Sequence, residues 1–149
     1  MAMFLHRPRS LLAALMAGAS LLATAAGALA QTPRFTTSSG TVHDNRTNLT
    51  WQQASPQNTT YTQSGGASYC TAMGTGWRLP SIKELQSIVD YTIPSPGPVF
   101  NSVFSGSASW YWSATPLAGS TSSAWALNFN AGNTLNDDPA TQHYVRCVR

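Results

Sequence analysis

Residues 77–85, which read WRLPSIKEL, constrain the fold more than any other part of this chain. Pro80 restricts φ and keeps the residue before it out of the helical region, so the chain should be extended there. Ser81 stands three residues before Glu84, which is the spacing of a capping box at a helix start. Apolar residues then recur at helical spacing, so we expect a helix packed on a sheet. The residues that should hold this motif together are Trp77, Arg78, Leu79, Pro80, Ser81 and Glu84.

Residues 1–30 are typical of a secretory signal peptide. They carry Arg7 and Arg9, then an apolar run over residues 11–22, and they end in ALA at residues 28–30. The run is short, and no stop-transfer charges follow it, so cleavage after export is expected rather than a membrane anchor. We therefore expect no membrane span after cleavage, and a protein exported to the periplasm or the extracellular space.

The remaining chain has the length of one domain with one core. Residues 31–40, rich in Thr, Ser and Gly, are expected to be a flexible lead-in, and residues 41–149 the folded domain. Removing Arg7 and Arg9 from the eight basic residues leaves six, against five acidic residues. Nucleic-acid binding requires a basic stripe that neutralises phosphates, and this nearly neutral chain shows none. Nucleic acid is therefore excluded as a partner.

The two cysteines, Cys70 and Cys147, are separated by 77 positions. An even number of cysteines in an exported chain favours a disulfide. The competing hypothesis is a reactive thiol pair or a set of metal ligands. Neither cysteine has a second Cys or His at the spacing of a zinc finger, so the disulfide is preferred.

The hydrophobic pattern predicts helices early and strands late in the domain. Ala67, Cys70 and Met73 recur at i, i+3 and i+6, which favours a short first helix, and the second starts at Ser81. A polar turn at residues 43–48 separates two of the short strands. The segments that read as strands are 41–42, 49–52, 110–115, 124–129 and 144–148. This order predicts an α+β domain with two short helices packed on a twisted antiparallel sheet with long loops.

Nine short motifs stand in an order that resembles one known family. They are Asp44-Asn45, Leu49-x-Trp51-Gln52, Tyr69-Cys70, Gly76-Trp77-Arg78-Leu79-Pro80, Lys83-Glu84-Leu85, Val89-Asp90, Tyr111-Trp112-Ser113-Ala114-Thr115, Ala124-Trp125 and Val145-Arg146-Cys147-Val148-Arg149. Over residues 41–149 the chain resembles the Lcl C-terminal domain family, named for the terminal domain of a bacterial collagen-like adhesin. The resemblance implies a C-type-lectin-like fold related to formylglycine-generating enzymes, with a disulfide from the first helix to the last strand. It also implies an exported bacterial protein; the adhesin that names the family is implicated in binding sulfated polysaccharides.

The chain shows little of the chemistry that an enzyme needs. The related formylglycine-generating enzymes use two cysteines, whereas here both are expected in a structural bridge. No Ser/His/Asp signature or phosphate-binding glycine loop is present. We therefore expect a non-enzymatic binding module of the bacterial envelope that recognises carbohydrate or another surface ligand in adhesion. The alternative is a module that binds another envelope protein, and an enzyme of the formylglycine-generating type is the third hypothesis.

The ligand site is expected on the long loops, where recognition normally occurs. Trp110, Tyr111 and Trp112 are consecutive, so a strand must direct them to opposite faces, and either both faces are covered or one aromatic face is open to a sugar. The candidate ligand-binding residues are Tyr111, Asn128, Asn130, Asn133, Asn136, Asp137 and Asp138.

Two groups of residues could hold a metal ion, but each also has a simpler interpretation. Ca²⁺ is possible at the oxygen-rich loop that contains Asp137 and Asp138, but a solvated loop whose Asn and Asp residues support turns is preferred. His43 and His143 could share a metal if their strands meet, although histidines in polar turns are more often solvated. We expect no metal and no cofactor.

Overall fold

The computed structural model describes residues 32–149, so the predicted signal peptide at residues 1–30 lies outside the described residues. Within them, the chain is α+β, as predicted, although its strands form two antiparallel sheets rather than one. The elements in chain order are β1 (Phe35–Ser38), β2 (Thr41–Asp44), β3 (Leu49–Gln52), α1 (Gln63–Ala72), α2 (Ile82–Ser87), β4 (Trp110–Pro116), β5 (Ala124–Asn128) and β6 (Thr134–Asp137). Among these residues, no helix combines the length and the apolar character needed to cross a bilayer.

The first sheet has the order β1-β2-β3, and it contradicts the expected flexible lead-in. Residues 35–38 pair with β2 from Phe35 opposite Asp44 to Ser38 opposite Thr41. Ser39 and Gly40 connect the strands with φ values of 47° and 76°, as a tight two-residue hairpin requires. The prediction was wrong because a Thr-rich composition was interpreted as mobility, whereas β-branched threonines also favour strands.

In the second sheet, β4-β5-β6, strand β4 is covered on both faces at Tyr111 and Trp112, which decides between the two alternatives for the aromatic run. Tyr111 and Trp112 are both 0% exposed, and they lie in different core clusters. The Tyr111 cluster includes Leu85 of α2, and the Trp112 cluster includes Cys70 of α1. Each helix therefore covers one face of this sheet, and the period-two pattern marks two interior faces.

Helix α1 buries a different face from the one predicted. Its buried residues are Gly66 and Cys70, while Met73 at the C-cap is 38% exposed. A Cβ on Gly66 would lie 2.5 Å from the Cγ1 of Val145, so the absence of a side chain lets the helix backbone approach the closing segment. A hydrophobic pattern cannot reveal such a contact, because glycine contributes no apolar side chain.

Helix α2 begins with the predicted capping box. The Ser81 hydroxyl accepts from the Glu84 N–H at 3.2 Å, and the Glu84 carboxylate accepts from the Ser81 N–H at 2.7 Å. The two terminal nitrogens of Arg78 donate to the same carboxylate at 2.9 and 2.7 Å. Glu84 therefore ties the extended Arg78–Pro80 turn to the start of the helix.

The closing segment, residues 144–148, is extended, but it does not form a continuous ladder as predicted. It bridges in turn to Tyr111, Trp51 and Arg78, which belong to separate parts of the chain. The Cys70–Cys147 disulfide is present, as predicted, and both residues are fully buried. The bridge therefore fastens α1 to this closing segment.

The Glu84→Gln substitution should reduce stability in a pH-dependent manner. Hydrogen bonds from Arg78, and secondarily from the Ser81 N–H, hold the pKa of Glu84 at about 2, although partial burial opposes them. A carboxyl whose pKa is lowered by folding stabilises the protein above its ordinary value of 4.5, and that contribution is lost as the pH falls towards 2. We expect a loss of about 1 kcal/mol at pH 7, since Arg78 is half-exposed and solvent screens the pair.

Urea unfolding of both proteins between pH 2 and pH 7 measures this difference. The Arg78→Gln variant should show the same reduced pH dependence. A difference of equal size at pH 2 and pH 7 would contradict the assignment to the ionised carboxylate.

Loss of the disulfide should cost far more than loss of the capping pair. Its cysteines are 77 positions apart, and the chain-entropy relation gives about 4–5 kcal/mol for a loop of that length. Urea unfolding of the oxidised protein, and of the same protein after reduction, measures the cost. Two alkylatable thiols in the exported, folded protein would contradict the assignment of this bridge.

Candidate functional site

Tyr111 does not belong to a ligand surface, and its prediction as a binding residue was wrong. The side chain is 0% exposed, and its hydroxyl lies 2.9 Å from the Ser55 hydroxyl in the interior. Its ring packs edge-on against Phe129, with centroids 5.0 Å apart. Alternation along a strand predicts that neighbouring side chains face opposite ways, but it cannot tell that both faces are covered.

The other predicted ligand residues divide between the two ends of β6. Asn128, Asn130 and Asn133 lie at the β5–β6 turn, where the Asn128 side-chain oxygen accepts from the Asn130 N–H at 2.8 Å. Asp137 ends β6, where it pairs with Ala124 at the start of β5. The predicted site residues that lie at or beyond this second end are Asn136, Asp137 and Asp138. The structure therefore does not bring the predicted set together.

Both carboxylate oxygens of Asp137 and one of Asp138 make contacts within the protein. The two carboxylate oxygens of Asp137 contact the Asp138 N–H at 2.8 Å and the Nε2 of His143 at 3.1 Å. A carboxylate oxygen of Asp138 accepts from the Ala140 N–H at 2.9 Å. Within residues 32–149, no three His, Cys, Asp or Glu side chains are grouped closely enough to hold a metal ion.

His43 and His143, the two histidines that could share a metal ion, make separate contacts. The Nδ1 of His43 lies 3.3 Å from the Thr50 hydroxyl in the first sheet. His143 packs its ring on Trp112, with centroids 4.6 Å apart, and contacts Asp137. Each imidazole therefore has a neighbour that accounts for its position.

Tyr91 is the exposed aromatic residue that the sequence interpretation missed. Its side chain is 70% exposed, yet its hydroxyl donates to the main-chain oxygen of Gly132 at 3.1 Å. A Cβ on Gly132 would lie 2.7 Å from a ring carbon of Tyr91, so the ring rests directly on the β5–β6 turn. Tyr91 therefore presents an aromatic surface to solvent while its hydroxyl fixes the position of the ring.

A cavity of about 240 Å³ opens beside this ring. Its polar groups come from Arg34, Asp90 and Asn101, and its apolar wall includes Ile88 and Val89. Pockets that enclose drug-sized ligands have volumes of roughly 300–1,000 Å³. The Tyr91 pocket, as we call this cavity with its flanking ring, therefore has room for one ring or substituent of a larger ligand.

Arg34 is held at the edge of the Tyr91 pocket by an ion pair. Its Nε and Nη2 donate to the two carboxylate oxygens of Asp44 at 3.2 and 2.9 Å, and Nη2 also donates to the Ser87 main-chain oxygen at 2.6 Å. Asp44 is 0% exposed. The fully buried carboxylate therefore neutralises Arg34 in place.

Asp90 is ordered by the residue two positions later. One carboxylate oxygen accepts both the Thr92 N–H at 3.0 Å and the Thr92 hydroxyl at 2.6 Å. These hydrogen bonds are the main reason that the pKa of Asp90 lies below its ordinary value, and Arg34 has the smallest effect. Asp90 is therefore ionised at neutral pH, and its other oxygen is available to a ligand.

The Gly132→Ala substitution should disturb the ring of Tyr91. Gly132 has a φ of 78°, and the added methyl group would meet Tyr91 at 2.7 Å and Val89 at 2.9 Å. We expect a loss of about 1–3 kcal/mol from the left-handed backbone and a changed NMR signal for the Tyr91 ring.

Gly119→Ala is the matched control. Gly119 has a φ of 77°, but its added methyl group would meet nothing within 4 Å. It should therefore lose stability without altering the Tyr91 signal. Equal effects of the two variants on that signal would contradict the packing of the Tyr91 ring against Gly132.

Comparison with known proteins agrees with the resemblance seen in the sequence. The family model described as Lcl C-terminal domain matches residues 40–149, which is most of the chain. No curated protein matches the chain. The chain therefore belongs to the Lcl C-terminal domain family.

Proposed function

We propose that this Lcl C-terminal domain is a non-enzymatic binding module of an exported bacterial protein, and that it binds carbohydrate at Tyr91. The observation that carries the proposal is an exposed ring whose hydroxyl is hydrogen-bonded to the Gly132 main chain. An aromatic face offers apolar area to the C–H groups of a sugar, and tyrosine joins such area to a polar tip. Because the hydroxyl is anchored on Gly132, little side-chain entropy remains to be lost when a ligand binds.

The polar groups beside the ring suit sugar hydroxyls. Asp90 supplies an ionised acceptor, and Asn101 supplies an amide. The Asn101 side-chain oxygen already accepts from the Val103 N–H at 3.1 Å, while its amide nitrogen donates to no group among the described residues. An acceptor and a donor next to an aromatic face match the alternating donor and acceptor character of a hydroxylated ring.

Three observations support a binding role rather than catalysis. Cys70 and Cys147 are joined, so neither offers the thiolate that a cysteine nucleophile requires. Asp44 and Glu84 are each paired with an arginine. Asp137 contacts a histidine that is packed between two tryptophans. Asp44, Glu84 and Asp137 are thus occupied in holding the fold, whereas Asp90 and Asp138 each keep one carboxylate oxygen without a donor among the described residues.

Export and adhesion are the cellular part of the proposal. A buried disulfide suits an oxidising compartment, such as the periplasm or the extracellular space. The family resemblance implies attachment to a surface ligand. A small pocket for one ring suits adhesion, because repeated copies of a glycan on a surface allow many weak contacts to act together.

Recognition of an envelope protein is the second candidate function. Pro94, Pro96 and Pro98 follow Tyr91 in the same loop and are exposed. Tyrosine is enriched at the centres of protein interfaces, and exposed prolines extend the apolar surface around it. The same residue would then serve as the anchor of a protein contact.

The Tyr91→Ala substitution tests the proposal directly. A glycan array that includes neutral, amino and sulfated polymers should first identify a ligand of the exported, oxidised protein. Tyr91→Ala should then weaken binding of that ligand by at least about tenfold, which is about 1.4 kcal/mol, as truncation of a binding anchor does. Tyr91→Phe should lose less, because it keeps the ring and loses only the anchoring hydroxyl.

Met73→Ala is the matched control, because Met73 is the other large exposed apolar residue among the described residues. It should leave binding unchanged. An empty array, or equal binding by wild type and Tyr91→Ala, would refute carbohydrate recognition at this site. Capture of an envelope protein that depends on Tyr91, with an empty array, would favour the second candidate.

A further inference from the structure

The charges around the Tyr91 pocket do not cancel. Arg34 is matched by the buried carboxylate of Asp44, which it contacts through two hydrogen bonds. Asp90 takes part in none of the ion pairs that residues 32–149 form. Asp44 therefore compensates the positive charge of Arg34, and the negative charge of Asp90 is not compensated by an ion pair at the pocket.

The free oxygen of Asp90 is held in a defined position. Its partner oxygen accepts two hydrogen bonds from Thr92, and these orient the whole carboxylate. No protein donor within the described residues reaches the second oxygen. An oriented carboxylate with one unpaired oxygen can accept a hydrogen bond from a ligand without first being reoriented. A charged donor is favoured there, because charge-assisted hydrogen bonds are about twice as strong as neutral ones.

The neighbouring ring has the same preference for positive charge. Tyr91 follows Asp90 in the chain, and both line the same cavity. The face of an aromatic ring attracts a cation, while an anion next to Asp90 is repelled. Carboxylate and ring therefore favour one kind of substituent, and they disfavour sulfate or carboxylate groups at this position.

We infer that the Tyr91 pocket selects glycans that carry a free, protonated amine, and that Asp90 is the specificity-determining residue. This inference rests on the proposed function, since it names the class of sugar that the Tyr91 surface binds. The amine donates to the open oxygen of Asp90, and its charge lies near the Tyr91 ring. The amide of Asn101 remains for a ring hydroxyl.

The test compares two oligosaccharides of equal length and linkage, one of glucosamine with free amines and one fully N-acetylated. Calorimetry at pH 6 with the exported, oxidised protein should show roughly fivefold tighter binding of the free-amine form, from a cation–π contact and an exposed ion pair together. Asp90→Asn should abolish that difference, so that the variant binds the two forms with equal affinity. Added salt should weaken only the free-amine form.

The Asp90→Asn variant is expected to fold, because an asparagine oxygen can still accept both bonds from Thr92. Asp138→Asn is the matched control: Asp138 is exposed and, like Asp90, accepts a main-chain N–H two residues on, but it lies at the other end of β6. It should change neither affinity. A thermal melt of each variant checks that the fold is retained.

The possible failures are distinguishable. Equal binding of the two oligosaccharides, with both lost in Tyr91→Ala, overturns the amine inference and leaves the proposed function in place. No binding of either form overturns the inference, and it overturns carbohydrate recognition as well only where the glycan array is also empty. A sulfated polymer that displaces the free-amine form, or a lysine-rich peptide that binds more tightly through Asp90, overturns the assignment to an amine-bearing glycan.

Discussion

The fold depends on two consecutive residues of the closing segment, whose side chains act in different cores. Cys147 forms the disulfide to α1. Arg146 is buried completely, and its guanidinium donates to the main-chain oxygens of Gln52, Gln53 and Ser105 at 2.8, 2.7 and 2.9 Å. Burial lowers the pKa of Arg146 to about 10, so it stays charged at neutral pH. A buried cation is costly unless its donors are satisfied. Here carbonyl oxygens satisfy the two terminal nitrogens and the faces of Phe100 and Phe104 lie against the guanidinium in place of a counter-ion, while Nε has no hydrogen-bond partner among the described residues.

This buried arginine also positions the candidate site. Ser105 belongs to the long segment between α2 and β4, which carries Asp90, Tyr91 and Asn101 as well. Before Ser105, two main-chain hydrogen bonds hold the same segment in place. The Asp90 N–H donates to the Val99 oxygen at 2.8 Å, and the Val99 N–H donates to the Phe129 oxygen at 2.7 Å. A segment without regular structure thus carries the three polar and aromatic groups of the proposed site, and hydrogen bonds attach it to the core at several points. The site is therefore attached to the scaffold by main-chain hydrogen bonds, although it lies on loops.

Local features were predictable from the sequence, and features that depend on distant packing were not. The capping box at Ser81 and Glu84 follows from residues three positions apart, and the disulfide follows from a cysteine count and the expected compartment. Strand β1 was missed because its pairing depends on β2, and Tyr111 was misplaced because both faces of its strand are covered. Tyr91 was missed because its anchor, Gly132, lies 41 positions later in the sequence.

Exposure alone does not distinguish Tyr91 from an ordinary surface residue, since much of any protein surface is apolar. Met73 is also exposed, but it stands at the C-cap of α1, and its side chain has three rotatable bonds. The Tyr91 ring has two, and a hydrogen bond at its tip and the bare backbone of Gly132 restrict both. A ligand that packs on Tyr91 therefore gains contact area with little loss of side-chain entropy, whereas the same area on Met73 would first have to be ordered. This difference in order, more than the amount of exposed area, is the reason for proposing Tyr91 rather than Met73 as the binding surface.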